Sequence, residues 1–151
     1  MSICELAAYY KNKGISVYEQ MQNIYKKYGY YLEDQYTITI KGAEGAIKIK
    51  EIMEKMRKNP PENIGKYKIV SISDYQLKKY NNLMTKEEKE TTLPKSNVLY
   101  YELENDNWCC IRPSGTEPKI KMYFGIKENN YDDAKNNLEY LKNEMIKIVE
   151  G

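Results

Sequence analysis

The stretch Trp108-Cys109-Cys110-Ile111-Arg112-Pro113-Ser114-Gly115-Thr116-Glu117-Pro118-Lys119-Ile120-Lys121-Met122-Tyr123-Phe124-Gly125-Ile126-Lys127 decides how this chain folds. In its last third, Ile120, Met122, Phe124 and Ile126 alternate with Lys121, Tyr123, Gly125 and Lys127. Successive strand side chains point to opposite faces, so this is a strand with one buried face. Its beginning, Trp108–Ile111, is a second short strand, and the polar, proline-flanked run Arg112–Lys119 lies between the two.

Outward from this hairpin the pattern stays mixed. Downstream, Asn130 can cap a helix whose apolar positions Ala134, Leu138, Leu141, Met145 and Ile148 recur at helical steps. Such a helix needs a sheet to cover. Upstream, Val98–Glu104 reads as the strand before Trp108, joined to it by the turn Asn105-Asp106-Asn107. Lys66–Tyr75 and Tyr36–Ile40 are further strands. Residues 43–58 read as a helix with Ala46, Ile49, Ile52, Met53 and Met56 on one face, stopped by Asn59-Pro60-Pro61. Gln76–Ser96 reads as a long surface loop, with Lys86–Glu90 as one solvated helical turn.

The order β-α-β-β-β-β-α is not a strict alternation of strands and helices. It predicts an α+β fold, with an antiparallel or mixed sheet of four to five strands and two helices on one face. A helical segment precedes it. Ile3–Lys13 reads as the end of a helix stopped by Gly14. Ser16-Val17-Tyr18-Glu19 is a capping box that starts a second helix, which ends at Gly29. Tyr30–Gln35 reads as a linker.

Composition narrows the function classes. The chain has 151 residues, 41% hydrophobic and 30% charged, which is a globular balance. Twenty-four basic against 22 acidic residues leave a net charge of +2, so the global basic field of a nucleic-acid binder is missing. There is no His, which removes the usual general base and the commonest metal ligand. The three cysteines are odd in number, and adjacent Cys109 and Cys110 point to opposite faces of a strand. A reducing, cytoplasmic compartment is expected. The apolar run Met1–Tyr10 is interrupted by Glu5 and has no basic flank, so no signal peptide is expected, and no apolar run is long enough for a membrane span.

The chemistry is concentrated in Arg112–Lys119. Arg112 offers a planar fork of donors that can take two phosphate oxygens. Ser114 and Thr116 add hydroxyls. Gly115 between them lets backbone amides approach an oxyanion. Lys119 adds a second cation, and Pro113 and Pro118 stiffen the ends. Two readings remain open on these residues alone: a phosphate-binding loop, or a stiff polar turn.

The run Arg112–Lys119, with its flanks Trp108–Ile111 and Ile120–Phe124, resembles the C-terminal signature of the α-D-phosphohexomutases, the phosphoglucomutases and phosphomannomutases. It is most similar to bacterial phosphoglucomutases and the related phosphopentomutases. Leu93–Leu99 and Ile3–Tyr10 are similar too, so the likeness covers essentially the whole chain. The resemblance implies a TATA-box-binding-protein-like C-terminal domain over residues 34–151, preceded at 1–33 by the helical tail of the third mutase domain. It implies that Arg112, Ser114, Gly115, Thr116 and Lys119 hold the phosphate that is not being transferred. It also implies a four-domain parent enzyme with a phosphoserine in the first domain, a Mg²⁺ held by aspartates in the second and a Glu-Glu-Ser type sugar-contacting loop in the third. None of those motifs is in this sequence. Asp132-Asp133 is read as acids in a first helical turn. No catalytic residue, metal ligand or cofactor is therefore expected in this chain. Its expected partners are a phosphosugar and the remaining three domains, and neither nucleic acid nor a membrane. A small nucleic-acid or protein-interaction module with an anion-binding loop is the alternative, since a sheet with two helices on one face also serves proteins that sit on DNA. The Tyr-rich stretches, Trp108 and the two adjacent cysteines are read as packing residues.

Overall fold

A computed structural model describes residues 2–151, so Met1, the first residue of the apolar Met1–Tyr10 run, lies outside the described residues. Two capped helices come first. In α1 (Ile3–Asn12) the Ser2 hydroxyl accepts from the Glu5 N–H while the Glu5 carboxylate accepts from Ser2 N–H. The expected box at the second helix, α2 (Val17–Tyr28), is likewise reciprocal: Ser16 Oγ accepts from Glu19 N at 3.1 Å and Glu19 Oε2 accepts from Ser16 N at 2.8 Å. Gly29 ends α2 at a φ of 92°, a conformation side chains resist. Neither helix buries a residue. α2 meets the rest of the chain through aromatic rings: Tyr25 stacks on Tyr30 at 4.8 Å, and Tyr30 meets Tyr131 edge-on at 6.4 Å.

The remainder is one antiparallel sheet covered on one side by two helices. Its strands are β1 (Tyr30–Thr39), the two-residue β2 (Asn63–Ile64), β3 (Tyr67–Asp74), β4 (Lys79–Asn82), β5 (Glu87–Glu90), β6 (Leu99–Leu103), β7 (Trp108–Pro113) and β8 (Lys119–Glu128). They run in the order β1-β8-β7-β6-β3-β4-β5, with β2 paired to β3, and every pairing is antiparallel. The helices α3 (Gly45–Lys58) and α4 (Tyr131–Glu150) lie on the same face. Arg57 of α3 reaches Asp74, which pairs with buried Leu99, and Lys142 of α4 reaches Asp34, which pairs with buried Phe124. The α+β class, the antiparallel pairing and the two helices on one face are thus as expected, but the sheet has eight strands rather than four to five, β2, β4 and β5 being the additions.

The alternation expected of residues 120–127 is observed: Ile120, Met122, Phe124 and Ile126 are all buried against the helices. From α3 they meet Ile49, Met53 and Met56, and from α4 Ala134, Leu138, Leu141, Met145 and Val149. Five local expectations need correction. Tyr30–Gln35 is not a linker but the first half of β1, whose ten residues pair with β8 along its length. Gln76–Ser96 is not a featureless loop, because it carries the β4–β5 hairpin. Lys86–Glu90 is accordingly not a helical turn: Lys86 has a φ of 58° and Glu87–Glu90 is a fully exposed edge strand. In α4 the last buried position is Val149, with Ile148 only half-buried, because 3.6 residues per turn rotates the apolar stripe along a 20-residue helix. In α3 Ala46 is exposed rather than on the buried face.

The open face of the sheet carries Trp108, stacked on Tyr100 at 5.7 Å and 16° between planes. Gly125 lies directly opposite Trp108, and a Cβ at Gly125 would fall on the indole ring. Replacing Gly125 by Ala ordinarily gains a few tenths of a kcal/mol through the unfolded chain, but the clash with a stacked ring outweighs this. Gly125→Ala is expected to lose about 1–3 kcal/mol in urea unfolding and to shift the emission of Trp108. Trp108 is the only tryptophan, so the shift is unambiguous. Unchanged stability together with unchanged emission would show that the indole does not rest on Gly125.

Candidate functional site

Strands β7 and β8 pair from Trp108↔Gly125 to Pro113↔Ile120, leaving Ser114–Pro118 as the hairpin tip. The tip is closed by Ser114 N donating to Lys119 O at 2.8 Å and Lys119 N donating to Glu117 O at 2.7 Å. It is also tied sideways, because Ile40 N donates to Pro118 O at 3.0 Å. Ile40 follows β1, so the loop is held by both strands that flank it and by the chain leading into α3.

The start of α3 approaches this loop closely. A Cβ at Gly45 would sit 2.5 Å from Ile40 O and 2.9 Å from Pro118 Cβ, so only glycine permits the approach. A cleft of about 420 Å³ separates loop and helix. Residues 113–118 form one wall, the first turns of α3 with Gly42 and Ala43 form the other, and Asn97 lies at its edge. The volume is within the range of small-ligand sites. Glu44, the N-cap of α3, makes no side-chain cap bond, and no acid lies in the first turn. The helix therefore turns uncapped amides and the positive end of its dipole toward the cleft wall that Ala46 lines.

The five residues predicted for the site divide into two groups. Ser114, Gly115 and Thr116 line the cleft. Arg112 and Lys119 do not. Arg112 stands on the open face of the sheet, its guanidinium 5.7 Å from the centroid of the Tyr123 ring. The ammonium of Lys119 is paired with Glu117 at 2.7 Å. The hydrogen bond from Lys119 holds the exposed Glu117 carboxyl below its ordinary pKa, so Glu117 is ionised across the neutral range. Gly115 does not use a left-handed backbone here. A Cβ on it would meet no atom within 4 Å, so the glycine contributes open space over its amide instead.

Sequence reasoning passed over two residues of the cleft, Lys50 and Asn97. Lys50 is the only cation lining it among the described residues. Asn97 Oδ1 accepts from Arg57 Nη2, and Arg57 Nε donates to Asp74 at 2.9 Å in a mostly buried ion pair. Lys50 reaches the cleft only through the close approach of α3 that Gly45 permits. Asn97 is brought in by strand pairing and had no local signal.

No group of three or more His, Cys, Asp or Glu side chains suited to a metal ion occurs among the described residues. Nor is either adjacent cysteine poised as a nucleophile. Burial pushes the Cys109 thiol well above its usual value and raises Cys110 to about 11. Cys4 is exposed. Of the three thiols in the native chain, only Cys4 is expected to react quickly with Ellman's reagent near pH about 8, the other two reacting after denaturation. Fast labelling of Cys109 or Cys110 would show that strand β7 opens far more readily than its burial implies.

Fold and site together define an α+β domain that presents a stiff, donor-rich hairpin loop beside a helix N-terminus. No family model matches the chain. Curated relatives do: phosphoglucomutase of Staphylococcus aureus strain USA300 is 36% identical over 132 residues, which is 87% of this chain and 24% of that protein. Phosphoglucomutase of Staphylococcus saprophyticus is 34% identical over 140 residues, 89% of this chain and 25% of that protein. Among solved structures, the exocytosis-sensitive phosphoprotein pp63/parafusin of Paramecium, a phosphoglucomutase in an open form, superposes with a TM-score of 0.54 over 93% of this chain and 24% of its own. At 16% identity that likeness speaks for the fold alone. The chain belongs to the phosphohexomutase family and is a C-terminal domain of that family. It spans about a quarter of the length of the curated relatives it matches.

Proposed function

We propose that this chain is the phosphate-anchoring part of a sugar-phosphate mutase of the phosphoglucomutase or phosphomannomutase type. Such an enzyme moves a phosphoryl group between the 1- and 6-positions of a sugar through a bisphosphate. In this reading Arg112, Ser114, Gly115, Thr116 and Lys119 hold the phosphate that stays in place. Residues 34–151 form the anchoring domain and residues 1–33 the mainly helical tail of the domain before it, whose last residues run into β1. The reacting phosphoserine, the Mg²⁺ and the sugar-contacting loop belong to the other three domains, and the assembled enzyme works in the cytoplasm.

One observation carries the reading: an unbroken Arg-Pro-Ser-Gly-Thr-Glu-Pro-Lys loop at a hairpin tip whose Ser114, Gly115 and Thr116 line a cleft. The two loop cations lie outside that cleft, at the root of the same hairpin. Arg112 rests on the Tyr123 ring and Lys119 on an exposed carboxylate whose attraction is screened by water, so in this reading a bound phosphate draws both side chains toward it. Four residues from one loop can then converge on a single tetrahedral anion. What holding contributes is position, worth several kcal/mol once the reacting parts are present. The nucleic-acid alternative is not favoured: Trp108 and Tyr100 are stacked on each other rather than offered to bases.

Isotope-labelled protein titrated with glucose 6-phosphate or inorganic phosphate is expected to show NMR shifts at Gly115 and Thr116. Arg112→Ala should weaken binding by at least about tenfold, the order of a charge-assisted bidentate contact. With no His in the chain and Glu117 ionised throughout, the pH dependence between about 5 and 7 should follow the second ionisation of the phosphate, binding strengthening as pH rises. The purified chain alone should turn over no hexose phosphate. Absent shifts at the loop, or mutase turnover by rigorously pure protein, would refute the proposal.

A further inference from the structure

The wall of the cleft that the loop itself forms carries one charged side chain, the carboxylate of Glu117. A phosphate entering there meets hydroxyls and amides but also this acid, which Lys119 neutralises only by staying outside. The opposite wall holds what the loop side lacks. Lys50 projects from the second turn of α3, is exposed, and makes no ion pair among the described residues. Asn97 stands at the same cleft with its Oδ1 engaged by Arg57, which leaves its two amide N–H donors for a guest. Arg57 is in turn fixed by Asp74, whose Oδ1 also accepts from Gln76 N at 3.0 Å and Leu77 N at 3.2 Å. The amide orientation is thus set by its bond to the mostly buried Arg57–Asp74 pair.

From this we infer that Lys50 and Asn97 are anion-contact residues, forming with Ser114–Thr116 a two-walled site for the phosphate group of a sugar phosphate, and that Arg57 is a positioning residue acting through Asn97. The inference rests on the reading of the loop as a phosphate site and goes beyond it, because it assigns half of the binding surface to residues outside the loop. The role of Lys50 is electrostatic and that of Asn97 is directional. The two are therefore separable by salt: screening acts on a solvent-exposed charge and leaves a neutral hydrogen bond nearly untouched.

The test is the same NMR titration of the full chain with glucose 6-phosphate and with inorganic phosphate, run at low and at high salt. Lys50→Met and Asn97→Ala are each expected to raise the apparent Kd about three- to tenfold at low salt. The Lys50→Met loss should largely vanish at high salt and be rescued by Lys50→Arg, whereas the Asn97→Ala loss should persist. Arg57→Lys should reproduce the Asn97→Ala loss and shift the side-chain amide signals of Asn97 in the free protein, which a merely structural role would not link to phosphate affinity. Both replaced surface residues are exposed, so the variants should keep the wild-type spectrum away from the cleft. If wild-type protein shifts at Gly115 and Thr116 while Lys50→Met and Asn97→Ala bind equally well, the inference is overturned and the loop reading stands. If wild-type protein shows no loop shifts at all, the loop reading fails and takes the inference with it.

Discussion

The pairing of β8 on both edges is the constraint from which the rest follows. This strand is hydrogen-bonded to β1 along its full ten-residue length and to β7 over six positions. Its helix-facing side chains, Ile120, Met122, Phe124 and Ile126, are each at most 1% exposed. A strand so held cannot slip, because a one-residue shift would turn all four to solvent. Burial of four such side chains amounts to very roughly 6–12 kcal/mol of transfer free energy, which fixes the register decisively. The first residue of β8 is Lys119, the last of the candidate loop. The loop thus inherits its position from the best-buried element of the chain.

A second consequence runs through β1. Because β1 pairs with β8 all the way to Thr39↔Lys119, the next residue, Ile40, is placed to bond Pro118, and the chain turns directly into α3. Gly45 then lets the first helical turn come within van der Waals reach of the loop. The cleft between them is therefore a product of two fixed neighbours, not of a mobile loop closing on empty space. Sites on such supports lose less entropy on binding than free turns do.

Much of this was legible in the residues. Alternation at 120–127, the Ser16–Glu19 box, the Asn130 cap and the loop itself carry strong local signals, and each has a local physical cause. What escaped notice has non-local causes. Leu32-Glu33-Asp34-Gln35 is too polar to announce a strand, yet β8 recruits it by offering a complete row of backbone partners. Glu87–Glu90 has helical propensity and no apolar alternation. It becomes an edge strand because a left-handed Lys86 turns it back on β4, and its charges suit an exposed edge. Lys50 and Asn97 are 47 residues apart and adjoin the loop only after folding.

The groups at the cleft suit the proposed role of holding a phosphate. A proton-transfer site needs a group whose pKa lies near neutrality. The chain has no histidine, Lys119 draws Glu117 further into its ionised form, and burial drives Cys109 and Cys110 away from the thiolate. Every shift near the loop moves a group out of the range in which it could exchange a proton at pH about 7. What remains is a set of hydrogen-bond donors: guanidinium, ammonium, hydroxyl and amide. In the proposed reading such a set holds a phosphate dianion while a step takes place elsewhere on the substrate. That is the property required of an anchor for a phosphate that must stay put while another one moves.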